Sequence, residues 1–418
     1  MDLQKWLKET PKYTTFRVNI LKKNHHESLQ QYLLQLADVF ATKQIPSFYF
    51  LKPDCLILER WSDSVIVDPT GKEVIVDALC AAAVLRGAHV FAPGVMGLPS
   101  SLHLDEKVDI YGDLEKKCKR GLKSLYDGKK KYVGTGYLKM LRSELFDNGI
   151  KPSGIAVHTL MPVSRLPVVN ESVCPKGELL LQNLPSIVCG WVVNAQSNEY
   201  ILDMCAAPGN KTTHLAEMSK NQACITALDK TLEKTERIRE TCQIQGVTCV
   251  TAYAFDATKC HSEESLGIAN GPPFPSNCFD KILLDAPCSG LGQRPQLINM
   301  MSPKMIKSYK FLQRKLISEA VKLLKVSGKL VYSTCTVTED ENEGLVSWVL
   351  EKFPCLKLIP AEPLLGGPGL PNLGLDDEHR KMVQRFGPHI DALRPADEIY
   401  RDSIGFFIAA FTKTANNK

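Results

Sequence analysis

From about residue 199 onward the chain alternates two kinds of segment, and that alternation leaves few folds open. Strand candidates are Tyr200–Met204, Cys224–Leu228, Thr248–Ala254, Phe279–Leu284, Lys329–Tyr332 and Gly405–Phe411. Between several of them lie helical stretches, Lys211–Ser219, Leu232–Gln245, Pro303–Leu324 and Glu339–Glu351. Strand followed by helix, repeated in this way, predicts an α/β fold with a doubly wound sheet. Ligands of such sheets sit at the carboxyl ends of the strands. The residues with chemical character fall there.

The first strand candidate leads into Cys205-Ala206-Ala207-Pro208-Gly209-Asn210-Lys211, a turn of small residues opening a helix. Small side chains let a ligand approach the backbone, and a helix start offers unpaired N–H groups. The turn lacks the Gly-x-Gly-x-x-Gly of dinucleotide sites and the Gly-x-x-x-x-Gly-Lys-Ser/Thr of nucleotide triphosphatases. Alone it is also compatible with a tight βα turn and nothing more. Asp229, Asp256 and Asp285 extend the signal, because each closes a successive strand candidate just as Asp203 closes the first. A carboxylate at Asp229 suits the hydroxyls of an adenosine ribose, and one at Asp256 suits an adenine amino group. The spacing predicts an S-adenosyl-L-methionine-like cofactor.

Two further strand ends carry cysteines, in Asp285-Ala286-Pro287-Cys288-Ser289-Gly290 and Ser333-Thr334-Cys335-Thr336. A lone cysteine is ordinarily a small buried hydrophobe. A pair at adjacent strand ends, beside Asp285 and Lys211, points to chemistry on a poorly nucleophilic carbon such as carbon 5 of cytosine. A thiolate added to carbon 6 makes carbon 5 able to attack a sulfonium methyl. Asp285 suits ring nitrogen 3, Lys211 is the cation nearest to hand for a thiolate, and a second thiol can assist release.

These motifs resemble the Sun-domain (Fmu/Nop2-type) RNA cytosine-5 methyltransferases, as do the flanking Arg17-Val18-Asn19 and Asp402-Ser403-Ile404-Gly405-Phe406-Phe407. The resemblance covers most of the chain. It implies a Rossmann-like class I methyltransferase core, Cys335 as nucleophile, Cys288 as the cysteine of product release, and Asp285 with Lys211 on the target base. Residues 205–211, with Asp229, Asp256 and Asp285, would line the S-adenosyl-L-methionine pocket. Two positions depart from the family pattern. Asn210 replaces a glycine, where tolerance of a left-handed backbone would preserve binding. Asn183 replaces an acid in Gln182-Asn183-Leu184-Pro185-Ser186.

Upstream the texture changes. Residues 1–70 read as an α+β extension (RRM-like), with a strand at Thr15–Asn19 and a helix near Glu27–Thr42. Residues 71–157 read as an Ala-rich helix, Val74–Arg86, followed by short strands. The methyltransferase domain takes 158–418, its first segment, 158–198, completing the N-terminal module. Val84 to Gly94 is similar to the opening of a PUA domain, a small β-barrel that binds structured RNA. That arrangement is similar to the subfamily of NSUN member six, which methylates cytosine 72 of the tRNA acceptor stem while the PUA domain holds the CCA end. Between Glu115 and Arg142 ten Lys and Arg face two acids, net +8 in 28 residues, more than the +5 of the whole chain. A solvated face is the plain explanation of such a run. Interleaved Tyr126, Tyr132 and Tyr137 favour RNA. The expected RNA contacts are Arg86, Phe91, Lys116, Lys117, Lys119, Arg120, Lys129, Lys130 and Lys131.

The chain's start lacks a secretory pattern, and its longest apolar stretch, 74–98, is broken by Asp77, Arg86 and His89, so no membrane segment is expected. None of the fourteen cysteines forms a Cys-x-x-Cys, so neither zinc nor any other metal is expected, and reduced thiols suit the cytoplasm. A monomer is expected. Two other readings stay open, an RNA-binding protein on a silent methyltransferase platform and an active enzyme on ribosomal or messenger RNA.

Overall fold

The computed structural model describes residues 2–22, 26–67, 69–147, 149, 151–169, 173–299, 301–388, 393–394 and 396–416. The carboxyl-terminal half forms a sheet in the order Val250–Ala254, Cys224–Asp229, Tyr200–Asp203, Phe279–Asp285, Leu324–Thr334, Phe406–Lys413 and Leu356–Ile359. The first five run parallel, and Phe406–Lys413 lies antiparallel to both neighbours. The order turns back on itself beside Tyr200–Asp203, which opens a crevice at the carboxyl ends of that strand and Phe279–Asp285.

Alternation of side chains along each strand explains why both faces are covered. Ile201, Leu283, Val331 and Ile408 pack with the helix Leu184–Val193 on one face. Leu202, Leu284, Tyr332 and Phe407 pack with the helix Pro303–Leu323 on the other. That second helix starts where it does because the Ser302 side chain accepts from Met305 N–H and Pro303 occupies the first turn. All four expected helices form, within a few residues of their expected bounds, as Asn210–Met218, Leu232–Gln245, Pro303–Leu323 and Glu343–Lys352. Two strands were not expected, Leu356–Ile359 and the short Gln384–Phe386.

Upstream, a six-stranded sheet runs in the order Val90–Phe91, Ile155–Pro162, Lys130–Leu138, Lys107–Asp113, Glu73–Val76 and Val95–Gly97. The expected helix over Val74–Arg86 divides in two. Glu73–Val76 is a strand, and the helix spans only Ala78–Leu85. The β-branched Val74-Ile75-Val76 favours a strand, and the Asp77 carboxylate starts the helix by accepting from Cys80 N–H at 2.8 Å.

A four-stranded antiparallel sheet, Leu179–Leu181, Tyr13–Val18, Cys55–Glu59 and Phe48–Lys52, packs beside the core. Its ties are polar and buried. Arg17, 1% exposed, donates to Gln182 Oε1 at 2.9 Å, Thr213 Oγ1 at 2.8 Å, Glu217 Oε1 at 3.0 Å and the Asn210 carbonyl. Asn19 donates to the Gly177 and Gln245 carbonyls at 2.9 and 2.8 Å. The Arg17-Val18-Asn19 motif therefore pins the helix that follows the crevice loop.

Candidate active site

The loop 204–209 is strapped to both neighbouring strands, since Met204 N–H donates to Leu283 O at 3.0 Å and Ala206 N–H to Leu228 O at 2.9 Å. Gly209 takes the left-handed conformation, φ 104°, and the next helix begins at Asn210 with no side chain capping it. The left-handed residue is thus the glycine, and Asn210 sits in the first helical turn. The tolerance of a left-handed backbone expected of Asn210 is therefore not called upon. The helix start keeps unpaired N–H groups toward the crevice.

Asp229 ends its strand and accepts from Ala207 N–H at 3.1 Å, Lys230 N–H at 2.7 Å and Lys234 Nζ at 2.9 Å. Asp256 lies two residues beyond its strand, which ends at Ala254, and starts a short 3-10 turn. The Thr258 hydroxyl and N–H hold its carboxyl below the usual range. Asp203 turns inward instead, bonded to Thr212 at 2.7 Å, and burial pushes its carboxyl up to about 7. Three of the four strand-end acids thus sit at the crevice's edge.

Lys211 and Asp285 meet across the crevice, Nζ to Oδ2 at 2.6 Å, and Ser333 donates to the other oxygen at 2.7 Å. Burial opposes the Lys211 charge, but the Asp285 carboxylate outweighs it and holds the ammonium above its ordinary range. Its Nζ also lies 5.4 Å from the centre of the Phe406 ring. The Cys288 and Cys335 sulfurs are 3.4 Å apart. The Cys288 thiol stabilises the Cys335 thiolate, which burial and Asp285 oppose, and with Gln293 and Lys211 it brings Cys335 down to about 7. Cys288 itself is pushed up by the same contact and by burial. Lys211 is therefore the smaller aid to the thiolate, because Asp285 already balances its charge.

Sequence reasoning missed the loop that closes this side. Gly292 N–H donates to the Cys335 carbonyl at 3.0 Å, and Gly405 N–H to the Gly292 carbonyl at 2.8 Å. A Cβ at Gly292 would stand 1.9 Å from the Gly405 carbonyl oxygen, so only glycine fits. Arg294, fully buried, donates to the carbonyls of Trp6, Asp402 and Ser403 at 2.9, 2.6 and 2.9 Å. In the run Gly290-Leu291-Gly292-Gln293-Arg294 the two glycines held the signal, Gly290 for a left-handed turn at φ 67° and Gly292 for a backbone forced into close contact.

Residues 191–386 match the family model described as 16S rRNA methyltransferase RsmB/F. The chain is 41% identical to the human tRNA (cytosine(72)-C(5))-methyltransferase NSUN6, an alignment covering 98% of this chain and 90% of that protein. The chain belongs to the Sun-domain RNA cytosine-5 methyltransferases. It is 31% identical to the tRNA (cytosine(72)-C(5))-methyltransferase of Pyrococcus horikoshii, over 98% of this chain and 92% of that one. The crystal structure of NSun6 from Pyrococcus horikoshii with SFG superposes with a TM-score of 0.72 at 29% identity, over 99% of this chain and 94% of that chain.

The core is thus the class I methyltransferase fold, and the cofactor of this Sun-domain protein is S-adenosyl-L-methionine. The crevice fits that group in its donor set, with carboxylates at Asp229 and Asp256 and the uncapped start of the helix Asn210–Met218. Among the described residues no cluster of three or more His, Cys, Asp or Glu could hold a metal ion, and no helix is long and apolar enough to cross a membrane.

The Sun-domain protein's basic run divides in half. Lys117 pairs with Glu115, Lys130 with Glu73 and Lys139 with Asp105. Arg120 donates to the Pro93 and Val95 carbonyls at 2.9 and 3.1 Å, and Arg142 to those of Leu98, Leu122 and Gly121. Tyr126 is buried on Asp113, OH to Oδ1 at 2.9 Å, which removes it as a platform for a base. Lys116, Lys119, Lys123, Lys129 and Lys131 are exposed, with no acid partner among the described residues. Phe91 is 53% exposed. Arg86 is half-buried at the seam with the core, its Nη1 3.4 Å from the Arg294 carbonyl, beside a cavity of about 220 Å³ that Asn210 and Gln182 also line.

Proposed function

We propose that the chain is an S-adenosyl-L-methionine-dependent tRNA methyltransferase that forms 5-methylcytidine at position 72 of the acceptor stem. The carrying observation is the juxtaposition of the two cysteine sulfurs at 3.4 Å in the crevice that holds the Lys211–Asp285 pair. The names of the human and Pyrococcus relatives supply the position.

In this reading Cys335 is the nucleophile. Its thiolate forms a bond to carbon 6 of the cytosine, and the displaced electron pair makes carbon 5 nucleophilic. S-adenosyl-L-methionine supplies the methyl group as an electrophile. Asp285 already accepts from Lys211 and Ser333 and is an acceptor as it stands. It therefore takes a hydrogen of the exocyclic amino group in place of the ring nitrogen 3 expected from the sequence, and the Lys211 ammonium donates to ring nitrogen 3 or the adjoining carbonyl. Loss of the carbon 5 proton to a base returns the electron pair, and the carbon–sulfur bond breaks. Cys288 assists that release as a hydrogen-bond donor to the departing thiolate.

A stem cytosine has to leave its stack to meet a thiol. The six-stranded module, read from the sequence as a PUA domain over 71–157 although its strand Ile155–Pro162 runs past that bound, holds the CCA end, with Arg86 at the seam, exposed Phe91 on the edge strand, and Lys116, Lys119, Lys123, Lys129 and Lys131 on phosphates. The work is that of a cytoplasmic monomer without a metal. Bisulfite sequencing of total RNA incubated with the protein and S-adenosyl-L-methionine tests the reading. Protection of cytosine 72 in tRNA is expected. Protection confined to ribosomal or messenger RNA would overturn the tRNA assignment, and protection nowhere would overturn the methylation.

A further inference from the structure

Behind the two cysteine loops lies a fully buried carboxylate, Glu341, for which the reaction above has no use. Its Oε1 accepts from the Ser289 hydroxyl at 2.6 Å and the Thr338 hydroxyl at 2.7 Å. Its Oε2 accepts from Ser289 N–H at 3.0 Å and the Gln313 amide at 2.9 Å. That amide also reaches the Pro287 carbonyl, at 3.0 Å. Ser289 and Thr336 oxygens are 2.7 Å apart. The Ser289 hydroxyl has given its only hydrogen to Glu341, so Thr336 must be the donor in that contact. A relay from Thr336 through Ser289 to Glu341 therefore joins the residue after Cys335 to the residue after Cys288.

The next residue clamps the same loop from its other side. Asn342 accepts from the Thr334 hydroxyl at 2.6 Å and donates to the Thr336 carbonyl at 3.1 Å, bracketing Cys335. Tyr332 fixes the Glu341 backbone, OH to carbonyl at 2.7 Å. Few freedoms are left to either cysteine loop.

We infer that Glu341 is a positioning residue for methyl transfer, setting the distance between the Cys288 and Cys335 sulfurs through Ser289 and Thr336. The inference rests on the reading of Cys335 as nucleophile and deepens it. The Cys288 contact is the largest influence favouring the Cys335 thiolate, and it depends steeply on that distance. The groups facing Cys335 are Cys288 and Asp285 at the end of their strand, Lys211 on the helix after the loop, Gln293, and Tyr309 on the helix Pro303–Leu323. Glu341 touches none of the reacting atoms.

The test is the pH dependence of Cys335 alkylation by iodoacetamide in the full chain, followed by mass spectrometry of the peptide that contains it. Glu341→Gln turns an amide NH2 toward donors and breaks the relay. Its alkylation midpoint is expected about one pH unit above that of the unaltered protein, with a roughly fivefold slower reaction at pH 7 that recovers at high pH. The kcat at neutral pH should fall in parallel, with KM for RNA unchanged. Should Glu341→Gln fail to fold, Ser289→Ala removes the hydroxyl bridge alone and is expected to move the midpoint the same way. An unmoved midpoint in a folded variant overturns the inference. Alkylation needs neither RNA nor methyl donor, so a shifted midpoint in a protein that methylates no RNA would leave the positioning intact and sink only the methylation.

Discussion

In the crevice, Lys211 and Asp285 are partners although 74 residues separate them, and each is held by a strand end or helix start that the sheet brings together. In the six-stranded module, half of the basic run reaches instead for carboxylates and carbonyls of that same module. The first pairing was foreseeable, because strand ends of a doubly wound sheet converge. The second was not, because a count of charges says nothing of the carbonyls within reach of each guanidinium. A net +8 in sequence becomes five uncommitted lysines in space.

The sharpest way to break this comparison is at the crevice. Cys335→Ala should lower methyl transfer by about 10⁴-fold or more while the protein still binds S-adenosyl-L-methionine, as the loss of a nucleophile does elsewhere. Calorimetric titration with the cofactor and radiolabelled methyl transfer to tRNA measure the two halves. Full turnover by the variant would remove Cys335 from the chemistry. Cys288→Ala should instead accumulate a covalent RNA adduct, seen as a denaturant-resistant band that depends on the methyl donor. It should also raise the pH at which Cys335 becomes reactive, because the thiolate loses its S–H donor. The sign is fixed: activity of the unaltered protein rises with pH through about 7, and adduct formation by the variant rises at higher pH.

A smaller effect is expected at the cofactor edge. Asp229 shares its carboxylate among Ala207, Lys230 and the half-exposed Lys234, so Asp229→Asn keeps the shape of the strand end and loses the charge. Affinity for S-adenosyl-L-methionine should fall about tenfold, the worth of one charged hydrogen bond. An unchanged dissociation constant would leave Asp229 as a strap for the loop alone.

What could be read in the sequence follows the range of the forces involved. The strands carrying Asp229, Asp285 and Cys335 announce themselves by apolar runs between turns, and topology then decides where their ends go. The strand Gln384–Phe386 was not legible, since three residues show no period and only pairing with Phe406–Lys413 creates it. The Ala-rich stretch after Val74 was misread because its apolar density hides the change from period 2 to period 3.6 at Asp77. At the site, Cys288, Cys335, Lys211 and Asp285 stood in the motifs. Gln293, Arg294 and Glu341 did not, because their meaning lies in contacts with segments far along the chain.

The mildest prediction separates the two halves of the basic run. Lys119→Ala with Lys123→Ala should weaken tRNA binding a few-fold and flatten the logarithmic salt dependence by about 2, one unit for each lost phosphate contact. The melting temperature of that variant should stay where it is, because neither lysine has an acid partner among the described residues. Arg120→Ala should do the reverse. It strips the Pro93 and Val95 carbonyls of their side-chain donor and removes one of the two guanidinium groups over the Phe146 ring, costing about 1–2 kcal/mol of stability with little change in salt slope. Equal salt slopes for the two variants would mean that Arg120 leaves its carbonyls when RNA arrives, and the division drawn from the unbound module would not hold in the complex.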